Sequence, residues 1–163
     1  MITTKISIRQ HIAEFCYGKF SGCSSDPVAF PDSLDIYHTV WDLLQKRPAN
    51  VSPNDTGNLE IVVPLSRKQD EFGKRKNPVT YNYLSARAAF ILDRKIEIMM
   101  LAELHDLLDE NKHVHCIEYS ETVYQFMAKY GIVSITEDAL IKNYYRWRNN
   151  LRRKKLKRNY TKK

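Results

Sequence analysis

NPVTYNYLSARAAFILDRKIEIMMLAELHDLLDEN, residues 77–111, decides the fold class. Asn77-Pro78 reads as an N-cap followed by proline at the first helical position. No further glycine or proline intervenes before Asn111. A helix of that span is a rod of roughly 50 Å at 1.5 Å per residue. Its apolar positions include Leu84, Ala88, Ile91, Leu92, Ile96, Met99, Met100, Leu104, Leu107 and Leu108, and they occupy more than one face. That pattern fits a central helix packed on two sides, or a helix that self-associates through residues 80–111.

Upstream, Ile8, Ile12, Phe15 (or Cys16) and Lys19 recur at helical spacing and predict a short helix from about Ile8 to Phe20. Gly18, Gly22 and Ser24-Ser25 dissolve the pattern. Pro31-Asp32-Ser33 reads as a helix start, with Asp32 or Ser33 as N-cap. The stripe Leu34, Tyr37, Val40 (or Trp41), Leu44 then runs to Pro48. Ala49 to Gly57 is turn chemistry. Leu59 to Val63 is the best strand, bounded by Gly57 and Pro64, with Val28-Ala29-Phe30 as its candidate partner. Ser66 to Asn77 is a polar loop carrying Arg67, Lys68, Lys74, Arg75 and Lys76. It reads as a solvated loop, with a secondary phosphate-contacting site as the sharper alternative.

Downstream, Ser120 starts a helix, Glu121 to Tyr130, that Gly131 ends as its C′ residue. Ser134-x-x-Glu137 matches a capping box, with Thr136 as a competing N-cap, and the last helix runs on into the C-terminal tail. The expected architecture is mostly α: a helical domain with a long central helix, a minor two-stranded β element and a basic C-terminal helix. Residues 1–141 form the body, and residues 120–163 a helix pair continuous with it.

Charge is distributed unevenly over the 163 residues, whose formal net charge is +7. Eleven of the 26 basic residues fall between Lys142 and Lys163, where there is no acid. Residues 1–141 keep 15 bases against 19 acids and carry −4. A basic end on an acidic-to-neutral body points to a polyanionic partner. The three cysteines, Cys16, Cys23 and Cys116, are odd in number and form no CxxC pair, which predicts free cytosolic thiols, with a Cys16–Cys23 disulfide as the alternative. The N-terminus lacks the charged-then-apolar pattern of a signal peptide, and IEIMML (96–101) is too short and too charged to span a membrane. A cytoplasmic protein without membrane contact is expected.

On the last helix, Leu140, Tyr144, Trp147 and Leu151 lie at i, i+4, i+7 and i+11, an apolar stripe for docking on the body. Lys142, Arg146, Arg153 and Lys157 line another side, with Asn149 and Asn150 between them and Arg148 and Arg152 extending the basic surface. Lys154, Lys155 and Arg158 follow. Cations at helical steps suit backbone phosphates, and Arg and Asn are the side chains that read guanine and adenine. Glu121 to about Arg153 resembles a helix-turn-helix, with a longer turn than usual between Gly131 and Thr136. A solvated tail is the bland alternative.

His105, His113, His115 and Cys116 cluster in sequence near Glu103, Asp106 and Asp109, without a paired zinc motif. They read as a polar helix end; a metal-dependent enzyme built on them is the remote alternative. No GxGxxG, phosphate-binding loop, HExxH or serine elbow is present. Neither metal nor cofactor is expected. The ten tyrosines read mainly as core-edge residues, with base stacking possible beside the cations.

RPAN (47–50), GNLEI (57–61), YNYLSAR (81–87), ELHDLLDEN (103–111), YGI (130–132) and YYRWR (144–148) resemble blocks in small uncharacterised proteins of bacterial prophages and other mobile elements. The resemblance implies a small DNA-binding or regulatory factor of a mobile element, by association, and supplies no functional residue. The sequence therefore predicts a non-catalytic nucleic-acid-binding protein, double-stranded DNA being favoured over RNA. A structural protein that oligomerises through its long helix is the alternative.

Overall fold

The computed structural model describes residues 1–21, 26–51, 56–65 and 76–160, with side chains as far as 155. The expected mostly helical fold with a minor two-stranded β element is what these residues adopt, and the two strands run antiparallel. In chain order the elements are β1 (Thr3–Ile6), α1 (Gln10–Phe20), α2 (Asp35–Leu43), β2 (Leu59–Val62), α3 (Ala86–His113), α4 (Tyr119–Tyr130) and α5 (Glu137–Tyr160). The chain divides into two compact units, Met1–Met100 and Leu101–Lys163, and the division falls inside α3.

In the first unit, β2 is the expected strand but its partner differs. β1 pairs with it antiparallel, Thr3 opposite Val62 and Ile6 opposite Leu59. Val28 contributes only a single bridge on the other edge of β2: its N–H donates to the Glu60 carbonyl at 2.8 Å, and its carbonyl accepts from Val62 at 2.9 Å. Pro31 follows too closely for that run to lengthen into a strand. β1 is polar on one face, so its Thr-Thr-Lys-Ile carries little apolar alternation to betray it. Gly57 lets the loop before β2 lie against β1, since a Cβ there would stand 2.6 Å from the Ile6 carbonyl oxygen.

The helix starts also differ from the sequence expectations. α2 begins at Asp35 with Leu34 in the N-cap position, one or two residues later than a start capped by Asp32 or Ser33 would place it. It ends at Leu43, well before Pro48, because Gln45 turns extended to exchange backbone hydrogen bonds with Tyr83 at 2.9 and 3.2 Å. That same bridge keeps the chain extended at Tyr83, so α3 cannot begin at Asn77-Pro78. Asn77 instead closes a local turn, its Oδ1 accepting from the Val79 N–H at 3.0 Å. α3 starts eight residues later, where the Ser85 hydroxyl accepts from the Ala88 N–H at 3.2 Å. The core of this unit includes Ile6, Ile12, Phe15, Val40, Ile61, Leu92, Ile96 and Met100. Arg9, just before α1, grips α3: Nε reaches Asp93 at 2.9 Å and Nη1 reaches Glu97 at 2.6 Å. That guanidinium holds the Glu97 carboxyl below its usual range. Cys16 is a free, fully buried thiol whose pKa burial pushes up; Cys116 is free and exposed. Cys23 lies outside the described residues.

In the second unit α4 ends as expected. Gly131 adopts φ 65°, the Ile132 N–H donates to the Met127 carbonyl at 2.9 Å, and the Gly131 N–H reaches Ala128 at 3.4 Å, which is a Schellman motif. α5 begins after Thr136, whose hydroxyl accepts from the Ala139 N–H at 3.3 Å, so Thr136 is its cap. Leu104, Leu108, Val123, Phe126, Ile132, Leu140 and Tyr144 form the core. A buried Asn111–Thr122 hydrogen bond of 3.1 Å joins α3 to α4.

Candidate nucleic-acid interface

α5 is anchored near its start and bare toward its end. Leu140 and Tyr144 are fully buried, Trp147 is half-buried, and Leu151 is 40% exposed. The apolar stripe therefore docks for its first three positions and fades at the fourth. Burying a side chain the size of Leu140 contributes about 1.5–3 kcal/mol. Hydrogen bonds between distant residues fix the rotation of the helix. The Tyr144 hydroxyl donates to Asp109 on α3, and His105 Nε2 lies 3.2 Å from the Asn143 amide oxygen. Arg148 Nη1 donates to the Tyr119 hydroxyl at 2.9 Å, with its guanidinium 5.5 Å from the Tyr144 ring centre. Burial and the bond to Asp109 keep the Tyr144 phenol protonated well above its usual range.

With the rotation fixed, the cations fall into two rows. Lys142, Arg146, Asn149 and Arg153, at i, i+4, i+7 and i+11, form an exposed outer row with Asn150 beside it. Lys142 also pairs with Asp138 at 2.6 Å, a solvent-exposed bridge that contributes little. Arg148, Arg152 and Lys155, at i, i+4 and i+7, form a second row. This row faces a groove of about 430 Å³ that is also lined by Trp147 and Leu151 of α5 and by Asp109 and His113 of α3. Arg152, Arg153, Lys154 and Lys155 are all exposed and point in four directions around the helix. Lys157 and Arg158 continue the helical backbone, beyond the described side chains.

The other sequence candidates go elsewhere. Lys76 donates to the carbonyls of Trp41, Asp42 and Leu44 at 2.6–3.0 Å, capping the C-terminus of α2. Its ammonium is thereby committed to the fold. Arg67, Lys68, Lys74 and Arg75 lie outside the described residues. His105 is buried, whereas His113, His115 and Cys116 are exposed, and among the described residues no three His, Cys, Asp or Glu side chains gather as a metal group. Glu103 accepts from the Tyr130 hydroxyl, and Asp109 from the Tyr144 hydroxyl. Among the described residues no helix is long and apolar enough to cross a membrane.

The residues that sequence reasoning missed are Tyr119, Asn143 and His113, together with the groove side of Trp147. Asn143 stands next to Tyr144 of the stripe, whereas Tyr119 and His113 belong to other helices and carry no sequence signal that links them to α5. No family model matches the chain, and no curated protein or solved structure is significantly similar to it.

Proposed function

We propose that this is a non-catalytic nucleic-acid-binding protein that grips the phosphate backbone with α5, double-stranded DNA being favoured over RNA. The observation that carries the proposal is the cation surface that α5 presents from Lys142 onward, a stretch of sequence without an acid, on a helix anchored by the buried Leu140 and Tyr144. Phosphate contacts come from Lys142, Arg146, Arg148, Arg152, Arg153, Lys154 and Lys155. Asn149 and Asn150, exposed on the outer row, are placed to reach base edges. A single helix with cations on several sides suits the wide major groove of B-form DNA better than the deep, narrow one of A-form RNA. The resemblance to small prophage proteins supports the finer reading, a cytoplasmic regulatory or accessory factor of a mobile element.

A second reading, self-association through α3, is favoured by Phe90 and Ile98. They are 61% and 68% exposed and lie two turns apart on one face of that helix. Gel filtration before and after nuclease treatment separates the two. The first reading expects nucleic acid to co-purify at low salt and the nuclease-treated protein to elute as a single chain. A nuclease-resistant oligomer free of nucleic acid would contradict it and favour the second.

A further inference from the structure

We infer that the groove between the end of α3 and α5 seats one unstacked nucleobase, so that α5 prefers a duplex carrying an unpaired nucleotide to a fully paired one. The inference rests on the proposed nucleic-acid reading and specifies its ligand. The groove, at about 430 Å³, falls within the roughly 300–1,000 Å³ range of sites that enclose small ligands. Its apolar elements are Leu151 and Trp147, and the Trp147 ring lies 4.5 Å from His105 at an interplanar angle of 35°. An indole held in place by a second ring is the preorganised aromatic platform on which a base stacks. The cations Arg148, Arg152 and Lys155 line the same groove at successive turns, where the phosphates flanking that base would lie. The one carboxylate present, Asp109, already accepts the Tyr144 hydroxyl, and three cations outnumber it.

Charge complementarity selects an anion, and the aromatic platform selects one with a flat ring. A base with its phosphates meets both demands. The cation surface also continues past the groove to Arg153 and Lys154, which favours a polynucleotide over a free nucleotide.

The probe is a DNA duplex with 2-aminopurine at its centre, either unpaired as a bulge or paired with thymine, alongside free 2-aminopurine nucleoside monophosphate. The bulged duplex is expected to bind about tenfold more tightly than the paired one, with its fluorescence quenched by stacking. Trp147→Leu should bring the ratio of bulged to paired affinity, measured within the variant, to about one and abolish the quenching, and Trp147→Phe, which keeps a ring and much of the packing, should retain most of the preference. Equal affinity for bulged and paired duplex without quenching would overturn the inference and leave the broader reading standing. Binding of the free nucleotide as tightly as the bulge would overturn nucleic acid as the occupant. Failure to bind either duplex at low salt would sink inference and reading together.

Discussion

His105 lies beside Trp147 and Tyr144, with Nε2 facing the amide oxygen of Asn143. An amide oxygen only accepts, so this contact suits the tautomer protonated at Nε2, and a second proton would go to Nδ1. Burial lowers the His105 pKa below 6.5, against the opposing pull of the Asn143 hydrogen bond and of Asp109 and Asp106. The sign for stability follows. Above pH 6.5 the ring is neutral folded and unfolded; as pH falls below 6.5 the unfolded chain takes up the proton first, and stability drops until the folded value is passed. Urea midpoints measured from pH 7.5 downward should therefore fall below pH 6.5. His105→Gln, neutral throughout, should flatten that part of the profile; an unchanged profile would mean that other groups control it. None of this pairing was legible in the sequence, where His105 stands beside His113 and His115. Its ring partners and Asn143 lie 38 to 42 residues away, and only the docking of α5 brings them together.

The ends of the elements show which local signals prevail. Gly131 was legible because φ 65° demands glycine or asparagine, and nothing nearby competes for that turn. Asn77-Pro78 was a sound helix-start signal that lost to a tertiary bridge between Gln45 and Tyr83, 38 residues apart. β1 was missed for a related reason: its partner lies more than 50 residues away, and pairing at that distance leaves no local trace. Two glycines separate backbone strain from steric clash. Gly131→Ala meets nothing within 4 Å, so its cost is the left-handed conformation alone, about 1–2 kcal/mol. Gly131→Asn should cost less, because asparagine tolerates that region. Gly57→Ala drives a Cβ into the Ile6 backbone and should cost more than Gly131→Ala. Chemical denaturation of the three variants checks the order; Gly57→Ala as stable as wild type would show that the loop before β2 can move away from β1.

At the scale of the whole molecule the dominant feature is the separation of charge, −4 over residues 1–141 against eleven cations beyond them. That division was fully legible, because it is a property of composition along the chain. The outer row was legible from helical spacing, but not that Arg148, Arg152 and Lys155 line a groove with α3, since the docking of α5 decides it. Binding that releases counterions makes the logarithm of affinity fall linearly with the logarithm of salt concentration, by about 0.9 per phosphate neutralised. The most direct measurement is that slope for a paired DNA duplex, taken on the full chain and on an Arg146→Gln, Arg153→Gln, Lys154→Gln variant that leaves the groove residues untouched. Engagement of about six phosphates predicts a slope of about −5.4, reduced in magnitude by about 2.7 in the variant. An affinity indifferent to salt, or a slope that the three substitutions leave unchanged, would contradict the assignment of α5 as the phosphate-binding surface.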